Sequence, residues 1–405
     1  MVTEMAARVT EKRYAAAEPR IPGGYKQTEV GLIPEEWEAM KLGDFVSLQR
    51  GHDLTWRDRR EGNVPVMGSA GQNGFHNTAL AKGPGVVLGR SGASFGQAHY
   101  CEIDFWPHNT ALYVTDFRGN DPLFVFYFLR FIDFTRHNSG GAQQSLNRNF
   151  IYPIPVGVPR PPEQRAIAGA LRDVDKLVGG LEKFIAKKRQ IKQGAMQELL
   201  TGKKRLPGFS EDWEETTLGA VTERIVGGGT PSRSIPSYWN GTIPWMTVKD
   251  FASHSPTGTL EFITRDGLRN SASNLIPRQT LITSTRMALG KAVIFEVDVC
   301  INQDLKAIFL RGDTDTRFLY YWFQFNERRI AEMGSGSTVM GISLGELRAI
   351  MFTKPSYAEQ TAIATVYSDM DTEIAALEAK LAKAQQLKQG MMQELLTGKV
   401  RLRRP

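Results

Sequence analysis

The residues best suited to metal or nucleophilic chemistry in this 405-residue sequence are six histidines and two cysteines, and their spacing assembles no centre. His76, His99 and His108 form the closest histidine grouping, without an HExxH pair. Cys101 and Cys300 are too few for a structural zinc site and exclude a disulfide-stapled secreted scaffold. Leu289-Gly-Lys-Ala292 lacks the upstream glycine and the hydroxyl of a phosphate-binding loop. Pro161-Pro162 is followed by Glu163, where an amino-methyltransferase would need an aromatic to stack a flipped base. The glycine cluster Gly227–Ser232 leaves two readings open, a turn or a backbone approach to a phosphate. The reading is therefore of a chain without catalysis, cofactor or metal of its own.

The elements that must carry any function come from a repeat. Residues 190–206 (QIKQGAMQELLTGKKRL) return at 386–402 (QLKQGMMQELLTGKVRL). The offset of 196 holds without a gap from Glu163 to Leu206, with 25 identities in 44 positions. A second offset, 176, relates Trp37 and Leu42-Gly43 to Trp213 and Leu218-Gly219. Between these repeated edges lie two dissimilar stretches, so one architecture is written twice around two different inserts.

At 3–4 spacing the first repeated block reads Ile167, Leu171, Val174, Val178, Leu181, Ile185, Lys188, Lys192, Ala195, Leu199; the second runs from Ile363 to Leu395 with Lys388 in its seam. Each predicts a helix of about 38–40 residues, roughly 55–60 Å long. Pro161-Pro162 opens the first, Ser356–Glu359 opens the second as a capping box, and Gly202 and Gly398 stop them. The two helices either zip against each other or each cover a neighbouring domain. The seam lysines are tolerable if their stems snorkel or another subunit packs there.

The inserts mix β-like runs (Gly85–Leu88, Ala111–Val114, Thr280–Thr283, Ala307–Leu310) with one aromatic helix each, Asp121–Phe131 and Arg317–Phe325, read as core rather than as a base-stacking platform. Each insert predicts an α+β globule. The formal charge of +7 is +1 over residues 1–161, −1 over 207–355, +6 over 162–206 and +1 over 356–405. The globules are nearly neutral, so recognition by them must come from placed polar groups rather than a basic surface. No apolar run is long enough to cross a bilayer and no signal-peptide core follows Met1, which predicts a cytoplasmic protein.

In these words and this order the chain resembles the specificity subunits of type I restriction–modification systems. The resemblance rests on Gly24–Trp37 (GYKQTEVGLIPEEW), Gly227–Ser232, Tyr238–Trp245, Trp106–Val114, Ser145–Asn149 and the doubled Met-Gln-Glu-Leu-Leu-Thr-Gly-Lys, and spans nearly everything from Gly24 to Leu402. It implies an α+β fold of two target-recognition domains separated by two long antiparallel coiled-coil helices, in a pseudo-twofold internal repeat. The boundaries it suggests are an extension over 1–23, domains over 24–160 and 207–355, and helical segments over 161–206 and 356–405. It further implies double-stranded DNA as ligand, each domain reading half of a split site, with helix length setting the unread spacer. Two methyltransferase subunits using S-adenosylmethionine and two ATP-dependent restriction subunits are the implied partners. The alternatives are the recognition portion of another restriction–modification enzyme of type IIG kind, or a coiled-coil scaffold for proteins.

Base edges are read by Arg or Lys for guanine and Asn or Gln for adenine. By loop position the candidates are Arg90, Ser91, His108, Asn109, Gln143, Gln144, Asn147 and Arg148 in the first domain. In the second they are Thr230, Lys249, Arg286, Asn302, Gln303, Ser337, Thr338 and Ser343. Asn109 is matched with Asn302. The repeated glutamines Gln164, Gln197, Gln360 and Gln393 are the candidates for docking a partner that binds twice.

Overall fold

The computed structural model describes residues 21–138, 144–334 and 341–402. The chain forms two compact units. One comprises residues up to Gly180 together with the segment from Lys380; the other is Leu181–Ala379. Each unit thus combines one insert, the start of one long helix and the end of the other.

The long helices are Pro161–Leu199 and Tyr357–Leu395, 39 residues each. Gly202 and Gly398 end them with φ of +69° and +73°. The amides of Gly202 and Gly398 donate to the carbonyls of Leu199 and Leu395, a hydrogen bond of the left-handed C-terminal stop, and those of Lys204 and Val400 reach further back to Glu198 and Glu394. The predicted capping box over Ser356–Glu359 is replaced: Glu359 accepts two hydrogen bonds from Arg205, at 2.7 and 2.6 Å, and one from Trp213.

In the first unit, an antiparallel sheet runs in the order Ser47–Arg50, Ala111–Asp116, Gly85–Gly89, Ala98–Cys101. A smaller sheet places Val64–Gly68 between Gly71–His76 and Trp106–Pro107, the last pairing parallel. The aromatic helix is Pro122–Phe131, capped by the Asp121 carboxylate on the Phe124 amide. Its residues Phe124, Phe128 and Leu129 are buried with Ile167 and Leu171 of the first long helix and Leu395 and Leu396 of the second. The helices therefore pack both on each other and on the domain.

The second unit repeats this plan in the insert, where the sequences barely match. Its antiparallel sheet is ordered Thr222–Gly227, Leu305–Leu310, Leu281–Ser284, Ala292–Ile294. Its companion sheet again holds a parallel pair, between Trp239–Met246 and Val299–Ile301. The aromatic helix is Thr316–Glu332, capped by Asp315. Phe318, Tyr321, Trp322 and Phe323 are core, packed with Met196, Leu199, Leu200, Ile363 and Tyr367.

The seam lysines find carboxylates on the other long helix instead of solvent or another chain. In the first unit Lys388 pairs with Asp175 at 2.5 Å, and Tyr127 donates to the same carboxylate at 2.7 Å. In the second, Lys192 pairs with Asp371 at 2.6 Å and Tyr321 donates to it at 3.0 Å, while Lys188 pairs with Glu373 at 2.7 Å. Asp175 with Asp371, and Lys192 with Lys388, share the offset of 196. One tyrosine–aspartate–lysine device thus holds each unit. Among the described residues, no helix is long and apolar enough to cross a membrane.

Candidate nucleic-acid interface

In the first unit a cleft of about 630 Å³ opens where the strand Ser47–Arg50 meets the loops around Arg90 and Asn147. Gln49, Arg50, Arg90, Asn147, Arg148 and Asn149 line it, with Asp53 at its edge. Arg50 is exposed and Arg90 half-buried. Neither guanidinium has a hydrogen-bond or ion-pair partner among the described residues. The backbone of Arg90 is held firmly: its amide donates to the Thr110 carbonyl at 3.0 Å and its carbonyl accepts from the Leu146 amide at 2.8 Å.

The other first-domain candidates divide. Arg148 donates to the Leu48 carbonyl at 2.9 Å, which fixes part of its guanidinium to the sheet. Asn147 caps the short helix Arg148–Ile151 through the Asn149 amide. Asn109 donates to the Asp53 carboxylate. The His108 imidazole lies 3.1 Å from the Thr110 hydroxyl, and burial holds its pKa below the usual histidine value. Ser91 bridges to Ser145, and Gln144 is exposed. Gln143 lies outside the described residues, as do Ser337 and Thr338 of the second domain.

The second unit builds the same frame from other side chains. Thr285 donates to the Asp304 carbonyl and accepts from the Ile342 amide, so Thr285 stands where Arg90 stands. The Asn302 amide donates to Met246 as the His108 amide donates to Met67. This corrects the matching of Asn109 with Asn302: His108 corresponds to Asn302, and Asn109 to Gln303. Gln303 accepts from Thr230 at 2.8 Å, as Asn109 bonds Asp53. Gly51 and Gly228 are equivalent and both obligatory. A Cβ would stand 2.2 Å from the His108 carbonyl oxygen in one and 1.8 Å from the Ile301 oxygen in the other. Within the glycine cluster, Gly228 and Gly229 are thus explained by close packing, the latter with a Cβ 2.7 Å from Ala272, whereas a Cβ at Gly227 would meet only the Lys306 side chain at 3.5 Å.

Two second-domain candidates are corrected. Asn302 is buried at 6 % exposure, its amide turned to Asp304 at 3.1 Å, because a polar residue ending a core strand must satisfy itself internally. Ser343 forms a capping box with Glu346 at the start of the helix Leu344–Ala349. Arg286 is largely exposed, 4.0 Å from Asp304, and Lys249 is exposed. Sequence reasoning passed over Gln49 and Arg50. The 176 offset, carried past Leu42-Gly43, would have marked their strand as the counterpart of the one that ends at Gly227.

The glutamines also divide. Gln164 and Gln360 are buried at 1 % and 0 % exposure. Gln164 accepts from the Asp121 amide and donates to Asn120 and the Pro159 carbonyl; Gln360 accepts from the Asp315 amide and donates to the Asp313 and Pro355 carbonyls. They join the long helices to the aromatic-helix caps and offer nothing to a partner. Gln197 and Gln393 are exposed.

A family model described as the type I restriction modification DNA specificity domain matches residues 34–193 and again 210–388. The chain belongs to this family. Among curated type I specificity subunits, it is 24 % identical to the putative MjaX specificity subunit of Methanocaldococcus jannaschii, over 94 % of this chain and 97 % of that one. It is 25 % identical to the EcoR124I/EcoR124II specificity subunit of Escherichia coli, over 72 % and 74 % of the two chains. The fold is shared with the S subunit crystal structure from M. genitalium, at a TM-score of 0.64 and 15 % identity, covering 89 % and 96 % of the chains. As a type I specificity subunit with two repeated specificity domains, the chain is a DNA-recognition component of a restriction–modification complex and carries no catalysis itself.

Proposed function

We propose that residues 24–160 and 207–355 each read one half of a split duplex-DNA site, with the segments 161–206 and 356–405 as the common frame and 1–23 as an extension. The observation that carries this reading is the frame shared by the two inserts. The same backbone hydrogen bonds present Arg90 in one domain and Thr285 in the other, Asp53–Asn109 in one and Thr230–Gln303 in the other. A shared backbone with exchanged polar side chains suits two domains that read different bases, since base identity is read by side-chain donors and acceptors.

The chain acts with other subunits. Two methyltransferase subunits dock through the repeated helical segments at exposed Gln197 and Gln393, in the cytoplasm, and ATP-dependent restriction subunits complete the complex. S-adenosylmethionine, ATP and magnesium belong to those partners. Co-expression of this chain with its methyltransferase subunit, followed by methylome sequencing, tests the reading. A split methylated motif is the expected result, and a continuous motif or none would overturn it. Gln197→Ala/Gln393→Ala should weaken association with the methyltransferase subunit in pull-down while leaving the melting temperature of the isolated chain unchanged.

A further inference from the structure

Resting on that DNA-recognition reading, we infer that Arg50 and Arg90 are specificity-determining residues which read guanine in the half-site of the first domain. They line one cleft, about 630 Å³ in volume, and both guanidinium groups lack a partner among the described residues. Two other cations near the frames are committed. Arg148 is bonded to a carbonyl, and Lys306 turns its ammonium onto the Gln303 and Leu305 carbonyls.

The second domain sharpens the assignment through its register. Arg50 pairs with Leu112, and Gly227 pairs with the equivalent Lys306, so the position of Arg50 is a glycine in the second domain. The position of Arg90 is Thr285 there, by the shared carbonyl and amide bonds. Conversely the exposed guanidinium of the second domain, Arg286, stands at the place of Ser91: Ser91 bridges Ser145 as Arg286 bridges Gly341. A residue needed by the frame would be kept in both copies, as Gly51 and Gly228 are. Arginines that change place between copies of one frame are the residues that distinguish what each copy reads. An unpaired guanidinium fork at a groove matches the O6 and N7 acceptors of guanine.

The test uses the complex of this chain with its methyltransferase subunit and methylome sequencing. The wild-type motif must first be split in two; failure there sinks the DNA reading itself, independently of these arginines. Given that motif, Arg90→Gln and Arg50→Gln should each lower discrimination at one guanine position, roughly 5- to 100-fold, and move it toward adenine. Only one half-site should change; the other half reports that the complex has folded and assembled. An unchanged motif, or a uniform drop in methylation with base preference intact, would overturn the assignment in favour of a phosphate or surface role. Should a glutamine variant lose all methylation, Arg90→Lys and Arg50→Lys decide: retained guanine preference supports the reading, and loss with an unchanged melting temperature overturns it.

Discussion

Arg401 grips Glu163 through two hydrogen bonds of 2.6 and 2.7 Å, across 238 residues of chain, and Trp37 donates to the same carboxylate at 3.1 Å. Arg205, Glu359 and Trp213 repeat the arrangement in the second unit. Glu163 is 10 % and Arg401 14 % exposed at the side chain, so the pair lies mostly out of water. Removing one partner strands the other charge. Arg401→Met should therefore destabilise the first unit by about 2–3 kcal/mol, below the range for a fully buried pair because the neighbouring Glu36 is solvated. Urea unfolding of the variant measures this, and a loss under about 0.5 kcal/mol would show the bridge to be ornamental.

The buried glutamines should matter to stability, not to assembly. Gln164→Ala leaves the Asp121 amide and the Pro159 carbonyl without partners. Unsatisfied buried groups of this kind cost about 1–3 kcal/mol each, so a total near 2–4 kcal/mol is expected. Thermal melting of Gln164→Ala beside Gln197→Ala checks the contrast. Equal melting temperatures would contradict it.

Both thiols should be inert in the folded chain. Cys101 and Cys300 are buried; burial raises the thiol of Cys101 and pushes that of Cys300 up to about 12. The thiolate is the reactive form. An aromatic disulfide reagent at pH 8 should titrate no thiol before denaturant is added and two afterwards. Rapid labelling of Cys300 in the native chain would be the contrary outcome.

Acid should loosen the protein before its carboxylates protonate. His108 and His254 both have pKa values held down chiefly by burial, and His254 packs edge-on to Phe295 with its Nδ1 unpartnered. A folded pKa below the unfolded value of about 6.5 means the unfolded chain binds the proton more readily. Stability from these groups is complete above pH about 6.5 and is lost as pH falls from there through their folded values. Melting temperature should drop between pH 7.5 and 5.5, and His254→Phe should flatten that slope. An unaltered slope in the variant would remove His254 from the explanation.

The frame was legible in sequence because it is written twice. Helical spacing, Gly202 and Gly398 fixed the long helices, and doubled offsets announced equivalent units. What the lysines of the seam do was not legible, since their partners Asp371 and Asp175 are chosen by antiparallel register between segments far apart in sequence. The site was legible only in part. Arg90 directly follows a strand, where sequence places a loop side chain; Arg50 ends a strand whose neighbour, Ala111–Asp116, lies some sixty residues on. Asn302 and Ser343 have the right chemistry for base contact, but burial and a capping box claim them, and neither shows in composition.

The composite make-up of each unit has a consequence in time. The second unit needs nothing beyond Ala379, whereas the core of the first includes Leu395 and Leu396, and its bridge needs Arg401. During synthesis the core of the first unit closes only once Leu395, Leu396 and Arg401 have left the ribosome, while the second unit is complete at Ala379. A stop codon placed just before Leu395 would therefore damage the unit that contains the start of the chain and spare the one between Leu181 and Ala379.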